Sequence, residues 1–127
     1  MKDKILVIDD DPRNIFALVA VLKANKYHCV TSASAIAGIN LLLNQDDIGI
    51  ILMDMMMPEM DGYEAIAEIK SNKQISSVPI IAVTAQAMVG DREKCLEAGA
   101  EAYLSKPIDI DALLKVLEHY MKHDDRV

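Results

Sequence analysis

Five short apolar runs recur along the chain, and helix-forming stretches lie between and after them. The runs are Ile5-Leu6-Val7-Ile8, Tyr27-His28-Cys29-Val30-Thr31, Ile50-Ile51-Leu52-Met53, Ile80-Ile81-Ala82-Val83 and Ala102-Tyr103-Leu104. Three of them are continuous rather than alternating, the pattern of parallel strands covered on both faces. Asp11 and Pro12 are placed to cap and open a first helix, whose Ile15, Leu18, Val19 and Leu22 recur at the spacing of one buried face before Asn25 and Lys26 end it. Ser34 opens a second with Ile36, Ile39 and Leu43 on one side, and Asp61-Gly62 opens a third with Ile66 and Ile69. A fourth, Asp91 to Ala98, closes at Gly99, and a fifth from Asp109 carries Leu113, Leu114, Leu117, Tyr120 and Met121. Five strand–helix alternations predict an α/β fold: a three-layer, doubly wound domain on a parallel sheet with right-handed crossovers.

A chain of 127 residues with 52% apolar content has enough material for one hydrophobic core. No Pro/Gly/Ser-rich linker and no fixed-period repeat divides it, so residues 1–123 are expected to form one domain with 124–127 as a frayed tail. Thirteen Lys and Arg against twenty Asp and Glu give a formal charge of −7, which argues against nucleic acid and anionic membrane as partners. No apolar stretch approaches the roughly 20 residues of a membrane helix, and Met1 to Ile5 lack the pattern of a signal peptide. A cytoplasmic location is the expectation. Cys29 and Cys95 stand far apart and outside any C-x-x-C spacing, as small hydrophobes do in a reducing compartment.

Ligands of open parallel sheets bind beyond the carboxyl ends of the strands. Here the first strand runs into Asp9-Asp10-Asp11, the third into Asp54, the fourth into Thr84 and the fifth into Ser105-Lys106-Pro107. Asp11 has an ordinary role as a helix cap, and the other acids at this edge have one as a solvated face. Converging carboxylates repel unless a cation joins them, and Mg²⁺ suits carboxylates, a carbonyl and a substrate phosphate. Lys106 is a candidate to neutralise a phosphoryl oxygen and Thr84 to donate to another, the equipment of phosphoryl transfer by positioning. A cis Lys106–Pro107 bond would fix the direction of the lysine. Taken singly, a lysine before proline is an ordinary solvated loop residue and a strand-end threonine an ordinary cap. Phosphate-loop, dinucleotide, H-E-x-x-H and G-x-S-x-G motifs are absent, and His28, His119 and His123 are scattered. Of the methionines at 53, 55, 56, 57 and 60, only Met56 is expected to border the site; the others read as packing.

The set Val7-Ile8-Asp9-Asp10-Asp11, Asp54 through Pro58 to Asp61-Gly62, Ala82-Val83-Thr84-Ala85 and Tyr103-Leu104-Ser105-Lys106-Pro107 resembles the receiver domain of two-component response regulators. Nearly the whole chain takes part. Asp54 to Gly62 together with Glu97-Ala98-Gly99-Ala100 is most similar to receivers of hybrid histidine kinases and multi-domain regulators. The resemblance implies a flavodoxin-like five-stranded sheet of order 2-1-3-4-5 and Asp54 as phosphoacceptor, served by a histidine kinase or histidine phosphotransfer protein. It implies Mg²⁺ held by Asp9, Asp10, Asp54 and the Met56 carbonyl, with Lys106 and Thr84 on the phosphoryl oxygens. Thr84 and Tyr103 become switch residues, and the fourth helix, fifth strand and fifth helix the face for an output domain or protein partner. Slow self-catalysed hydrolysis depends in this family on the positions of Met56 and Gln86; since a thioether cannot orient water as an amide does, a long-lived phosphoryl state is expected.

Two other readings compete. A phosphatase of the haloacid dehalogenase type shares the aspartyl-phosphate chemistry, but it carries an Asp-x-Asp nucleophile after the first strand and a cap, whereas Pro12 follows Asp11 and no length remains for a cap. A binding module that kept the fold and lost the switch would bind its partner equally well as Asp54→Asn.

Overall fold

The computed structural model describes residues 2–85 and 90–121. Its elements alternate without exception: β1 (Lys4–Ile8), α1 (Pro12–Ala24), β2 (His28–Ser32), α2 (Ala35–Asn44), β3 (Ile48–Asp54), α3 (Gly62–Ser71), β4 (Ile80–Thr84), α4 (Asp91–Ala98), β5 (Ala102–Ser105) and α5 (Ile110–Tyr120). The strands form one parallel sheet in the order β2-β1-β3-β4-β5. The order reverses between β1 and β3, so the crevice of a doubly wound sheet opens beyond Ile8 and Asp54.

Strand alternation divides the apolar runs between two cores. Leu6, Ile8, Ile51, Met53, Ile80 and Ala82 face one core with Leu42 of α2, Ile66 and Ile69 of α3 and Cys95 of α4. Ile5, Val7, Ile50, Leu52, Ile81 and Val83 face the other with Leu22 of α1 and Leu113 and Leu117 of α5. Each such aliphatic side chain, fully withdrawn from water, contributes about 1.5–3 kcal/mol, which is why continuous runs sit at the centre of the sheet.

Four helices begin on side-chain caps. Asp11 accepts from the Arg13 N–H, Ser34 from Ala37 and Asp109 from Asp111. Asp61 and Glu64 form a reciprocal capping box on α3, which the sequence reading did not identify. Gly62 donates its N–H to the Met55 carbonyl, and a Cβ there would collide with Met55, so this turn requires glycine.

Two helices differ from expectation. The buried side of α2 is Ala35, Gly38 and Leu42, whereas Ile36 is 52% exposed and Ile39 and Leu43 are half-buried. The cause is close approach: a Cβ on Gly38 would overlap the Ile8 side chain, so α2 turns its smallest residues to the sheet and its isoleucines aside. Of the predicted inner face of α1, only Leu22 is buried, while Ile15, Leu18 and Val19 are half-buried. The expected tail 124–127 and His123 lie outside the described residues.

Candidate functional site

Register brings the acids together. Ile8 of β1 pairs with Met53 of β3, so the next residues, Asp9 and Asp54, emerge level at the carboxyl edge. The Asp9 N–H donates to the Ser32 carbonyl (3.1 Å), and Asp9 Oδ1 accepts from the Asp11 N–H (2.8 Å). Asp54 Oδ1 accepts from the Met56 N–H (3.1 Å). Both carboxylates are buried, at 3% and 4% exposure, whereas Asp10 is exposed. Lys106 arrives from the other side of the crevice. Its N–H donates to the Thr84 carbonyl (2.9 Å), its bond to Pro107 is cis, and its Nζ lies 3.3 Å from Asp9 Oδ2 and 3.5 Å from Asp54 Oδ1.

Two carboxylates thus share one ammonium, and a third stands beside them. Oxygens of Asp9, Asp10 and Asp54 all lie within 4.8 Å of one another. Burial pushes the Asp54 carboxyl above its ordinary range; the Met56 N–H and Lys106 pull it down, and Asp9 and Asp10 push it up again. Two like charges about 4 Å apart repel by about 4 kcal/mol at an effective dielectric of 20, so a hard cation relieves the cluster. Its donors are oxygens alone, the set that Mg²⁺ prefers over softer metals. The Asp9–Asp10–Asp54 corner therefore fits Mg²⁺.

The remaining predicted residues fall around this corner. Thr84 is buried at the end of β4, paired in register with Ser105, one residue beyond the Asp54–Val83 pair. Met56 follows Asp54 by two residues and is 50% exposed, while Met53, Met55 and Met57 are buried as packing residues. Tyr103 is half-buried on β5; burial raises its hydroxyl pKa, and Asp91 and Cys95 raise it further. Gln86 lies outside the described residues.

Three features carry no signal in a residue pattern. The amides of Asp11 and Met56 orient the two buried carboxylates, a property of backbone path. Glu101 accepts from the Ile80 N–H (2.7 Å) and from Lys70 (3.0 Å), tying the start of β4 to α3. Cys95, the one described buried residue of α4, lies 3.7 Å through its Sγ from the Tyr63 hydroxyl. Burial and that contact push Tyr63 up to about 12, with Lys94 over its ring at 5.2 Å.

Acids at the ends of β1 and β3, a buried hydroxyl at the end of β4 and a lysine after β5 define a class: a doubly wound domain whose crevice can position a phosphoryl group beside a divalent ion. The family model described as response regulator receiver domain matches residues 5–118, and the chain belongs to that family. Among curated relatives, the polar-differentiation response regulator DivK of Brucella ovis is 30% identical over 121 residues, covering 95% of this chain and 98% of DivK. Among solved structures, the receiver domain of sensor histidine kinase PA1611 from Pseudomonas aeruginosa PAO1 is 36% identical with a TM-score of 0.86, covering 96% of this chain and 99% of that one. That receiver holds a magnesium ion coordinated in its active site cleft. The receiver domain of Saccharomyces cerevisiae Ssk1, solved with the phosphotransfer protein Ypd1, belongs to a match of 25% identity and TM-score 0.83, covering 94% of this chain and 88% of that one. The chain is therefore a receiver of two-component phosphorelay signalling, one of a family of signalling phosphoacceptors. No helix among the described residues is long and apolar enough to cross a membrane.

Proposed function

We propose that Asp54 takes the phosphoryl group, that residues 1–123 form the working unit in the cytoplasm, and that a histidine kinase or histidine phosphotransfer protein is the donor. The observation that carries this reading is the posture of Asp54. Its Oδ1 is held by the Met56 N–H and faces Lys106, while its Oδ2 has no hydrogen bond among the described residues and is available to attack phosphorus. As Oδ2 bonds to phosphorus, the N–P bond of the donor phosphohistidine breaks and its electron pair returns to the imidazole nitrogen. The Lys106 ammonium and the Thr84 hydroxyl take the phosphoryl oxygens, Lys106 exchanging its Asp54 partner for the arriving charge. Asp9, Asp10, Asp54 and the Met56 carbonyl are the residues that would hold Mg²⁺. When bound, that ion neutralises the carboxylates and phosphoryl oxygens that would otherwise repel.

The new charge then acts on its neighbours. Thr84 is drawn toward the phosphoryl group, Tyr103 moves to its buried state, and α4, β5 and α5 present a changed face to an output domain or protein partner. Hydrolysis of the aspartyl phosphate needs no further protein, since it is an acyl phosphate, and is slow because the Met56 thioether cannot orient a water.

Intact-protein mass spectrometry after incubation with Mg²⁺ and acetyl phosphate tests the assignment. Wild type gains one phosphoryl group, whereas Asp54→Asn and chelated wild type gain none. Equal gain by Asp54→Asn would overturn it.

A further inference from the structure

The sheet has two edges, and only one is dressed as a natural edge usually is. β5 is only four residues long and is flanked by a hollow whose lining mixes Arg92, Glu101, Lys115 and His119. β2 is five residues long and carries no lysine, proline or bulge on His28-Cys29-Val30-Thr31-Ser32. Native proteins blunt open edges with such devices because unpaired N–H and C=O groups recruit another strand.

Two adjoining grooves lie along this edge, one mainly against α1 and one against α2. The larger, about 800 Å³, runs along α1 past Ile15, Phe16, Val19 and Lys23 to Leu41, over Cys29 and Val30. The smaller, about 480 Å³, lies on the α2 side against Ala33, Ala37, Asn40 and Leu41. Both reach Thr31. Phe16 is 78% exposed and projects from an apolar helix of which only Leu22 is buried. Ser32 gives its carbonyl to Asp9 of the β1 side, so the alternation of backbone groups along a strand turns the N–H and C=O of Cys29 and Thr31 outward between the grooves.

Charge selects the occupant. Residues 12–45 hold Arg13, Lys23 and Lys26 and not one Asp or Glu, although the chain has twenty acids. Among the described residues, no acid lines either groove.

We propose that the β2 edge accepts an extended segment of a partner protein as a sixth strand, apolar at its centre and acidic at its ends. Its backbone pairs with Cys29 and Thr31, and its alternate side chains enter the α1 groove beside Phe16 and the α2 groove beside Leu41. A helix would fill one groove and leave the edge unpaired. A second copy joined edge to edge would bring together two surfaces of the same sign, with no Asp or Glu in residues 12–45 to answer Lys23 and Lys26. The surface is separate from the phosphoacceptor corner and stands without the preceding assignment.

The test uses a capped peptide of about eight residues, β-branched and aromatic at its centre with two glutamates at each end, beside a version with lysines in place of the glutamates. Amide hydrogen exchange is followed by NMR. Binding of the acidic peptide slows exchange at Cys29 and Thr31 at least tenfold and leaves Val30 unchanged, while the lysine version does not bind. Phe16→Glu, at a site already in solvent, weakens the acidic peptide at least tenfold. Thr31→Pro, which deletes an outward N–H and spares the β1 ladder, also weakens it. Absence of binding, binding without protection of Cys29 and Thr31, or indifference to Phe16→Glu would overturn the proposal. So would sedimentation showing that the chain alone dimerises through this edge with the same two amides protected.

Discussion

The acid corner and α4 stand one strand apart and are held by opposite means. At the corner the three buried or half-buried charged residues are held through backbone: Asp9 by Ser32 and Asp11, Asp54 by Met56, Lys106 by Thr84. The strands behind it are buried at nearly every residue. Helix α4 has eight residues, begins at Gly90 in a left-handed conformation without a side-chain cap, and buries Cys95 alone among its residues. Charge is thus concentrated where the structure cannot yield, next to a helix that costs little to shift. On the proposed assignment, a phosphoryl group at Asp54 would replace the single carboxylate charge with about two on phosphate oxygens, and the cheapest relaxation available would be movement of α4 and of Tyr103 beside it.

The contrast can be broken most forcefully at Lys106. Lys106→Met leaves Asp9 and Asp54 facing each other, and the expected loss is about 3 kcal/mol in urea unfolding without divalent ions, largely recovered with saturating Mg²⁺. A loss under 1 kcal/mol would show that the corner does not depend on its ammonium. Cys95→Ser puts a polar hydroxyl into the seat of α4 and should cost about 1–2 kcal/mol. Hydrogen exchange locates that cost: amides of 91–98 should exchange faster while those of β1 and β3 keep their protection. Uniform loss would mean that α4 is not a separate unit. Met56→Asn places an amide beside the aspartyl phosphate and should speed its decay several-fold, read by the return of the unmodified mass; an unchanged decay would remove the role given to Met56. The smallest effect belongs to Tyr63. Its pKa is raised from the ordinary 10.0 to about 12. Protonated Tyr63 therefore contributes stability below pH 10 that is lost as pH climbs through 12. Tyr63→Phe should flatten that decline and delete the latest tyrosinate absorbance, and a titration identical to wild type would sever Tyr63 from Cys95.

Strand ends were the legible part of this molecule. Apolar runs that stop at Asp9, Asp54 and Thr84 announce both a parallel sheet and the edge where its ligand lies, because burial and chemistry separate at a single residue in each. The faces of the helices were less legible. The isoleucines of α2 dominate any periodicity, yet Gly38 seats the helix against Ile8 and turns Ile36 outward. Likewise α1 is so uniformly apolar that its pattern could not reveal how much of it stays in solvent. Contacts such as Tyr63 with Cys95 join residues 32 apart in sequence and follow from packing alone.

The most direct measurement is residue-resolved hydrogen exchange on the Mg²⁺ form with and without phosphorylated Asp54. The account predicts altered protection across residues 90–98 and at Tyr103, with β1 and β3 unchanged. Altered protection confined to the strands around Asp9 and Asp54, with residues 90–98 unmoved, would contradict it.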